Sequence, residues 1–203
     1  MEEGIDLTLS YGERRTATGA YFSVFYETQE FPKYLSTLDN STYKDKYGAG
    51  ISLMGINWLK KYNFEKSSLS IGLGYGLGST SKGDAEMSLE KIKLSSRFAV
   101  DRLGKEAHWV PFVGFELWQL NITEKSSTDS FSGKIEMGYQ YALGLSIQIS
   151  RLDPSSSSQA YAEWGLENTF IDVYLFGNGE PLSGEEANVS NEMQTGFALT
   201  LEF

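Results

Sequence analysis

From Lys134 to Ser150 a large apolar side chain occupies every second position. Ile135, Met137, Tyr139, Tyr141, Leu143, Leu145, Ile147 and Ile149 share one face; Glu136, Gly138, Gln140, Ala142, Gly144, Ser146 and Gln148 share the other. Successive strand side chains point to opposite faces, so the alternation predicts a strand with one apolar wall and one small or polar wall. Ser68 to Gly78 repeats it, with Leu69, Ile71, Leu73, Tyr75 and Leu77 against Ser70, Gly72, Gly74 and Gly76. The chain ends the same way: Thr195, Phe197, Leu199, Leu201 and Phe203 oppose Gln194, Gly196, Ala198, Thr200 and Glu202.

Weaker alternation fills the gaps and predicts eight strands, near residues 18–30, 46–59, 67–78, 87–101, 109–123, 134–151, 159–176 and 192–203. Within the seventh, the apolar parity moves from Trp164, Leu166 and Phe170 to Ile171, Val173 and Leu175, as a bulge would make it do. Ile5, Leu7, Leu9 and Tyr11 also alternate, as the lower half of a bent first strand or a ninth segment, and the role of residues 1–17 stays open. Residues 31–45, 79–86, 124–133 and 177–191 have the Ser, Asn, Asp and Gly composition of mobile loops. The intervening connections, 60–66, 102–108 and 152–158, are shorter and read as turns. Long loops at one end, short turns at the other and an even number of antiparallel strands describe a closed, up-and-down transmembrane β-barrel.

Alternation alone is compatible with a soluble barrel that is apolar inside, as in lipocalins. Length argues against that. Ile135 to Ile149 spans about 50 Å at roughly 3.3 Å per residue, whereas a tilted strand needs only about 9–11 residues to cross a bilayer. Volume agrees, because an eight-stranded barrel is only wide enough for side chains to fill, and a glycine-rich inner face leaves room for larger neighbours. The apolar wall is therefore read as facing lipid, where only a closed barrel satisfies every backbone group. Tyr47, Trp109, Tyr139 and Phe203 fall near strand ends, as the aromatic girdles of membrane barrels do.

The chain has 203 residues, read as a single domain over 1–203. With no cysteine and one histidine, thiolate zinc sites, iron–sulfur clusters and multi-histidine metal centres are excluded. A formal charge of -10 argues against nucleic acid as a partner. No run of 18 apolar residues exists, so no transmembrane helix is expected. Met1-Glu2-Glu3-Gly4-Ile5 carries acid where a signal peptide carries base, and suits either a cytoplasmic chain or a mature form whose signal has been removed.

At the C-terminus, Gln194, Gly196, Leu199, Leu201 and Phe203 set a polar residue, a glycine and spaced hydrophobics before a terminal aromatic. This resembles the assembly signal of bacterial outer-membrane β-barrel proteins, and with the strand count it makes the chain similar to the small eight-stranded group of the OmpA transmembrane domain, OmpX and OmpW types. The resemblance implies residence in a bacterial outer membrane among its lipid and lipopolysaccharide, insertion by the barrel-assembly machinery, a monomer, and both termini in the periplasm. Absence of cysteine suits an oxidising periplasm.

Enzymes among small outer-membrane barrels, the lipid A deacylase, palmitoyltransferase and omptin types, use a histidine with a serine or acid. His108 lies in a predicted short turn and is followed by Trp109 and Val110, so the deacylase spacing is absent and a solvated turn histidine is the reading. Inward charge is more informative. Lys93, Arg97, Glu116, Lys134, Glu136, Glu163 and Glu167 are placed in the lumen or at its mouth, with Lys93 and Arg97 bridging Glu116, Glu163 or Glu167. Trp58, Trp118 and Tyr161 are placed inward as well, narrowing the bore. The loop acids Glu30, Asp39, Asp84, Glu86, Asp129, Glu180, Glu185 and Glu186 match no calcium-loop spacing and read as solvated surface. The expected function is a non-enzymatic, cofactor-free barrel with a mostly filled polar lumen and a structural or surface-interaction role. A narrow channel for ions or small solutes is the alternative, and a lipid A-modifying hydrolase the third reading.

Overall fold

The computed structural model describes residues 16–203 apart from 49, 102, 104–106 and 183–186, and apart from the side chain of Glu136. The alternating segments Ile5 to Tyr11 and the loop acids Glu185 and Glu186 lie outside the described residues. Eight strands form a closed antiparallel barrel in sequence order: β1 (Thr18–Gln29), β2 (Ile51–Asn63), β3 (Ser68–Lys82), β4 (Ala85–Ala99), β5 (Trp109–Lys125), β6 (Ser130–Gln148), β7 (Asn168–Asn178) and β8 (Gln194–Glu202). β8 pairs with β1 from Tyr21↔Glu202 to Glu27↔Gly196, which closes the wall. Phe203 and Ala20 exchange backbone hydrogen bonds just beyond it.

The apolar wall faces outward. Trp58, Leu73, Leu94 and Tyr141 are exposed on it, Leu73 at 65%. Along β6 the belt from Met137 to Ile147 rises about 34 Å along the strand, or about 26 Å after a tilt of roughly 40°, which matches a hydrocarbon core. The small face points inward, where Gly138 lies under the Trp118 ring and Gly144 under Phe112 and Tyr174. Trp58, placed inward from sequence, sits on the outer belt instead, registered between Phe22 and Leu73.

Three connections depart from the sequence expectation. β3 and β4 run on to a two-residue turn at Gly83-Asp84, where Gly83 has φ 64°, the first-position glycine of a type II′ hairpin. β5 and β6 likewise extend to residues 126–129, so two of the four expected loops are tips of tall hairpins. At the opposite end, the expected short turn at 152–158 belongs to a helix, α2 (Pro154–Trp164). Asp153 caps it by accepting from the Ser156 amide, proline follows in the first turn, and Gly165 ends it in the left-handed region. The helix, and not a bulge, produces the parity slip, and Tyr161 lies on it, outside the lumen. The bulge occurs in β6, where Trp118 pairs with Gly138 but Leu120 pairs with Ile135. It turns Ile135 inward and sends Lys134, registered to Asn121, outward. β2 starts at Ile51, five residues late, because Tyr43–Tyr47 forms a short helix, α1, capped by Thr42 and ended by Gly48 at φ 75°.

Candidate functional site: a roofed and filled lumen

The loop from residue 30 to 48 folds inward over the mouth. Phe31, Tyr34, Tyr43 and Tyr47 are buried against Met87, Leu89, Trp118, Leu120, Ile122 and Ile135 on the inner faces of the tall hairpins, with Val189 joining from the opposite loop. One carboxylate anchors this roof. Glu124, fully buried on β5, accepts from Ser36 Oγ at 3.1 Å, Thr37 N at 3.0 Å, Thr37 Oγ1 at 2.7 Å and Tyr47 OH at 2.8 Å. Burial, reinforced by the neighbouring carboxylate of Glu124, pushes the Tyr34 and Tyr47 hydroxyls well above the ordinary tyrosine range; burial and Glu30 do the same to Tyr43. Tyr47, expected in a girdle, is thus part of the roof, because the chain preceding β2 is helical and folds inward.

Below the roof the lumen is polar. Lys93 Nζ meets Glu116 Oε1 at 2.8 Å and lies 3.8 Å from the Phe25 ring centroid. Lys91 donates to Gln140 Oε1 at 2.6 Å and stands 3.7 Å from Glu116 and 3.9 Å from Glu27. Glu27 also accepts from Gln29, Gln140 and Tyr174, at 2.8, 3.2 and 3.0 Å. One level on, Arg97 pairs with Asp172 at 2.8 Å, donates to Ser146, and lies 3.9 Å from the Phe112 centroid. Thr200 donates to the same Asp172 oxygen, Oδ2, at 2.8 Å. At the terminus end Lys61 bridges Glu202 and Asp101, Asn168 donates to Glu202 at 2.7 Å, and Ser68 donates to Asp101 at 2.7 Å. Each charge is paired and hydrogen-bonded, as burial demands.

Of the charges singled out from sequence, the lumen holds Lys93, Arg97 and Glu116, and brings Lys93 to Glu116. Arg97 finds Asp172 instead of a glutamate. Glu163 lies exposed on α2, where Gln159 donates to it at 2.8 Å, so it bridges no lumen cation. Glu167 follows α2, its amide bonded to the Glu202 carbonyl at 2.7 Å, and the side chain of Glu136 lies outside the described set. Sequence reasoning missed Glu27, Lys61, Lys91, Asp101, Glu124, Asp172 and Glu202. Lys91 shares the parity of Lys93 and Arg97 and was legible on that ground; Lys61 was hidden because the second strand was ended too early.

A cavity of about 70 Å³ remains between the two upper levels, lined in part by Asn57, Lys93, Arg97, Glu116, Asp172 and Tyr174. That is room for a few waters. Arg97 Nε and Asp172 Oδ1 have no protein hydrogen-bond partner, so the space suits water and not hydrocarbon. His108, at the terminus end, contacts Arg151, with Gln148 at 3.5 Å. Among the described residues no group of three or more histidines and carboxylates is arranged to hold a metal.

A closed eight-stranded barrel, apolar outside and charged within, defines the class: the fold is that of the small outer-membrane β-barrels. No protein-family model matches the sequence, and no curated protein matches it. Among solved structures the chain is similar to Neisserial surface protein A (NspA), with 10% identity, a TM-score of 0.50, and 92% of this chain and 96% of that one covered. It is also similar to Ail, the attachment invasion locus protein of Yersinia pestis, with 11% identity, a TM-score of 0.43, and 92% and 97% covered. At these identities the likeness to NspA shows the fold.

Proposed function

We propose that the protein is a plugged outer-membrane barrel with a structural or surface-interaction role, neither a pore nor an enzyme. The observation that carries this is the occlusion of the lumen at successive levels: the aromatic roof, the Lys91–Lys93–Glu27–Glu116 cluster, the Arg97–Asp172 pair and the Lys61–Glu202–Asp101 cluster. In this reading the belt faces outer-membrane lipid and lipopolysaccharide, the roof faces the cell exterior, and the monomer is inserted by the barrel-assembly machinery acting on Gln194, Gly196, Leu199, Leu201 and Phe203. In support, Leu199 faces outward on β8 while Gly196 faces inward beneath Tyr174.

The test is conductance in planar bilayers at high protein load, where no openings are expected. Discrete openings by the wild-type chain would replace this reading with the narrow-channel one, whose path would run through the internal cavity. The hydrolase reading is checked by mass spectrometry of lipid A from cells with and without the protein, with an unchanged profile expected.

A further inference from the structure

The membrane reading leaves α2 unexplained. It is an eleven-residue helix none of whose residues is buried, at the end of the barrel where β6 passes to β7. A polar helix on a periplasmic surface needs no apolar groups, yet Leu152 just before it is 86% exposed and Trp164 at its end is 74% exposed. Ser157, Ala160, Tyr161 and Trp164 fall on one helical face at i, i+3, i+4 and i+7 spacing. Ser157 and Ala160 look into a slot of about 240 Å³ between the helix and the barrel, whose other walls include Ile149, Leu152, Leu166 and Thr169.

The position of the slot decides its occupant. Ile149 and Thr169 continue the outward parity of Ile147 and Ile171, which pair across β6 and β7 at the lower edge of the belt. The slot is therefore on the outer wall, directly continuous with the lipid-facing surface, and Trp109, registered to Ile147, flanks it. Charges on the segment, Arg151 against Asp153, Glu163 and Glu167, give no attraction for an anionic surface. Asp153 is in any case committed to the helix cap.

Resting on the membrane reading above, we propose that α2 is an interfacial helix lying on the periplasmic leaflet, and that the slot beneath it takes an acyl chain of a zwitterionic glycerophospholipid. Leu152 and Trp164 enter the leaflet at headgroup depth, where amphipathic rings partition. The attachment comes from apolar burial and is insensitive to salt.

Two single-tryptophan proteins test this in phosphatidylcholine vesicles carrying bromine at a shallow or a mid-chain acyl position. One keeps Trp58 in the middle of the belt, and the other keeps Trp164, the remaining tryptophans being changed to phenylalanine. Trp58 should be quenched by mid-chain bromine. Trp164 should be quenched by shallow bromine and shielded from aqueous iodide, at low and high salt alike. Quenching of Trp58 by lipid together with quenching of Trp164 by iodide alone would overturn the proposal and leave the membrane reading standing. A Trp58 untouched by either bromine would overturn both. For the slot, Ala160→Phe fills the space, and native mass spectrometry should then show one fewer retained phospholipid than wild type in a protein of unchanged gel mobility. An equal number retained would remove the acyl chain from the slot.

Discussion

Glu124 is the point at which the roof can be released without dismantling the barrel. Its carboxylate accepts four hydrogen bonds, all from the loop between residues 36 and 47, and its own strand stays paired on both sides without it. A hydrogen bond to a buried charged group is worth about 1.5–3 kcal/mol, but four on one carboxylate do not add independently. In Glu124→Ala the hydroxyl and amide of the exposed Thr37 regain water easily, whereas the buried Ser36 and Tyr47 hydroxyls lose a partner while still enclosed. The expected loss in roof stability is therefore about 3–5 kcal/mol, or two to three and a half decades in the opening equilibrium at about 1.4 kcal/mol per decade. Amide hydrogen exchange reads this locally. The Tyr43 amide bonded to the Tyr34 carbonyl, the Ser36 amide bonded to Ser41, and the Lys46 amide bonded to Thr42 should exchange faster by about that factor, or to the limit of an already open loop.

In that variant, strand amides of β3, β4 and β8 should keep their protection, and the shift in gel mobility on boiling should persist. Glu124→Gln retains an acceptor oxygen and should fall between the two. Unchanged exchange at Tyr43 and Lys46 would show that the aromatic rings alone hold the roof. Equal acceleration in every strand would show that the roof and barrel form one cooperative unit. Conductance should stay at zero in either variant, because the lysine and arginine levels below remain closed.

The remaining predictions concern the lumen, the wall and the alkaline limit. Arg97→Ala leaves Asp172 charged, buried and without its cation, so unfolding by urea in lipid vesicles should show a loss of about 3–5 kcal/mol; the double change Arg97→Met with Asp172→Leu should recover most of it. Gly138→Val drives a side chain into the Trp118 ring and should destabilise by about 1–3 kcal/mol with a loss of near-ultraviolet circular dichroism from Trp118. Tyr34, Tyr43 and Tyr47 hold their protons in the folded roof beyond the ordinary tyrosine range, chiefly through burial. Their contribution to roof stability is thus complete below about pH 10 and lost as pH rises through the raised folded values. Ultraviolet-difference titration should find these three un-ionised at about pH 11 in the intact protein and ionised there in Glu124→Ala; full ionisation in the intact protein would contradict the burial argument.

The strands and the outward direction of the apolar wall were legible because one physical rule, period-two alternation against lipid, governs residues 137–147, 69–77 and 195–201 alike. Where the rule changed, the reading failed. On β4, odd positions point inward throughout, yet they change from Ala85, Met87 and Leu89 to Lys91, Lys93, Ser95 and Arg97. On β5 the inward Leu120 and Ile122 stand above the belt, while the outward apolar residues Val113, Phe115 and Leu117 stand within it. Parity is constant and hydrophobicity inverts, so the upper hairpins looked like polar loops. α2 was lost for a different reason: its apolar positions are few enough to mimic a strand, although Asp153-Pro154 and Gly165 carried the punctuation of a helix. The pairing of lumen charges depends on registers between distant strands, such as Arg97 on β4 with Asp172 on β7, which no local pattern reports.

That inversion locates the membrane boundary. On the outer face Glu90 of β4 and Gln119 and Asn121 of β5 succeed the last apolar residues, Ile92 and Leu117, and Asn121 donates to Glu90 at 2.9 Å, so on these strands the boundary falls at this level. Below it, lipid takes the apolar groups, and the narrow interior must be filled by charges that satisfy one another. Above it, water covers the outer face, and the ordinary hydrophobic effect returns the apolar groups to the inside. The chain thus carries two kinds of core under one wall. A change in bilayer thickness should alter the stability of β3 to β6 within the belt, and leave the exchange of the roof amides Ser36, Tyr43 and Lys46 where it was.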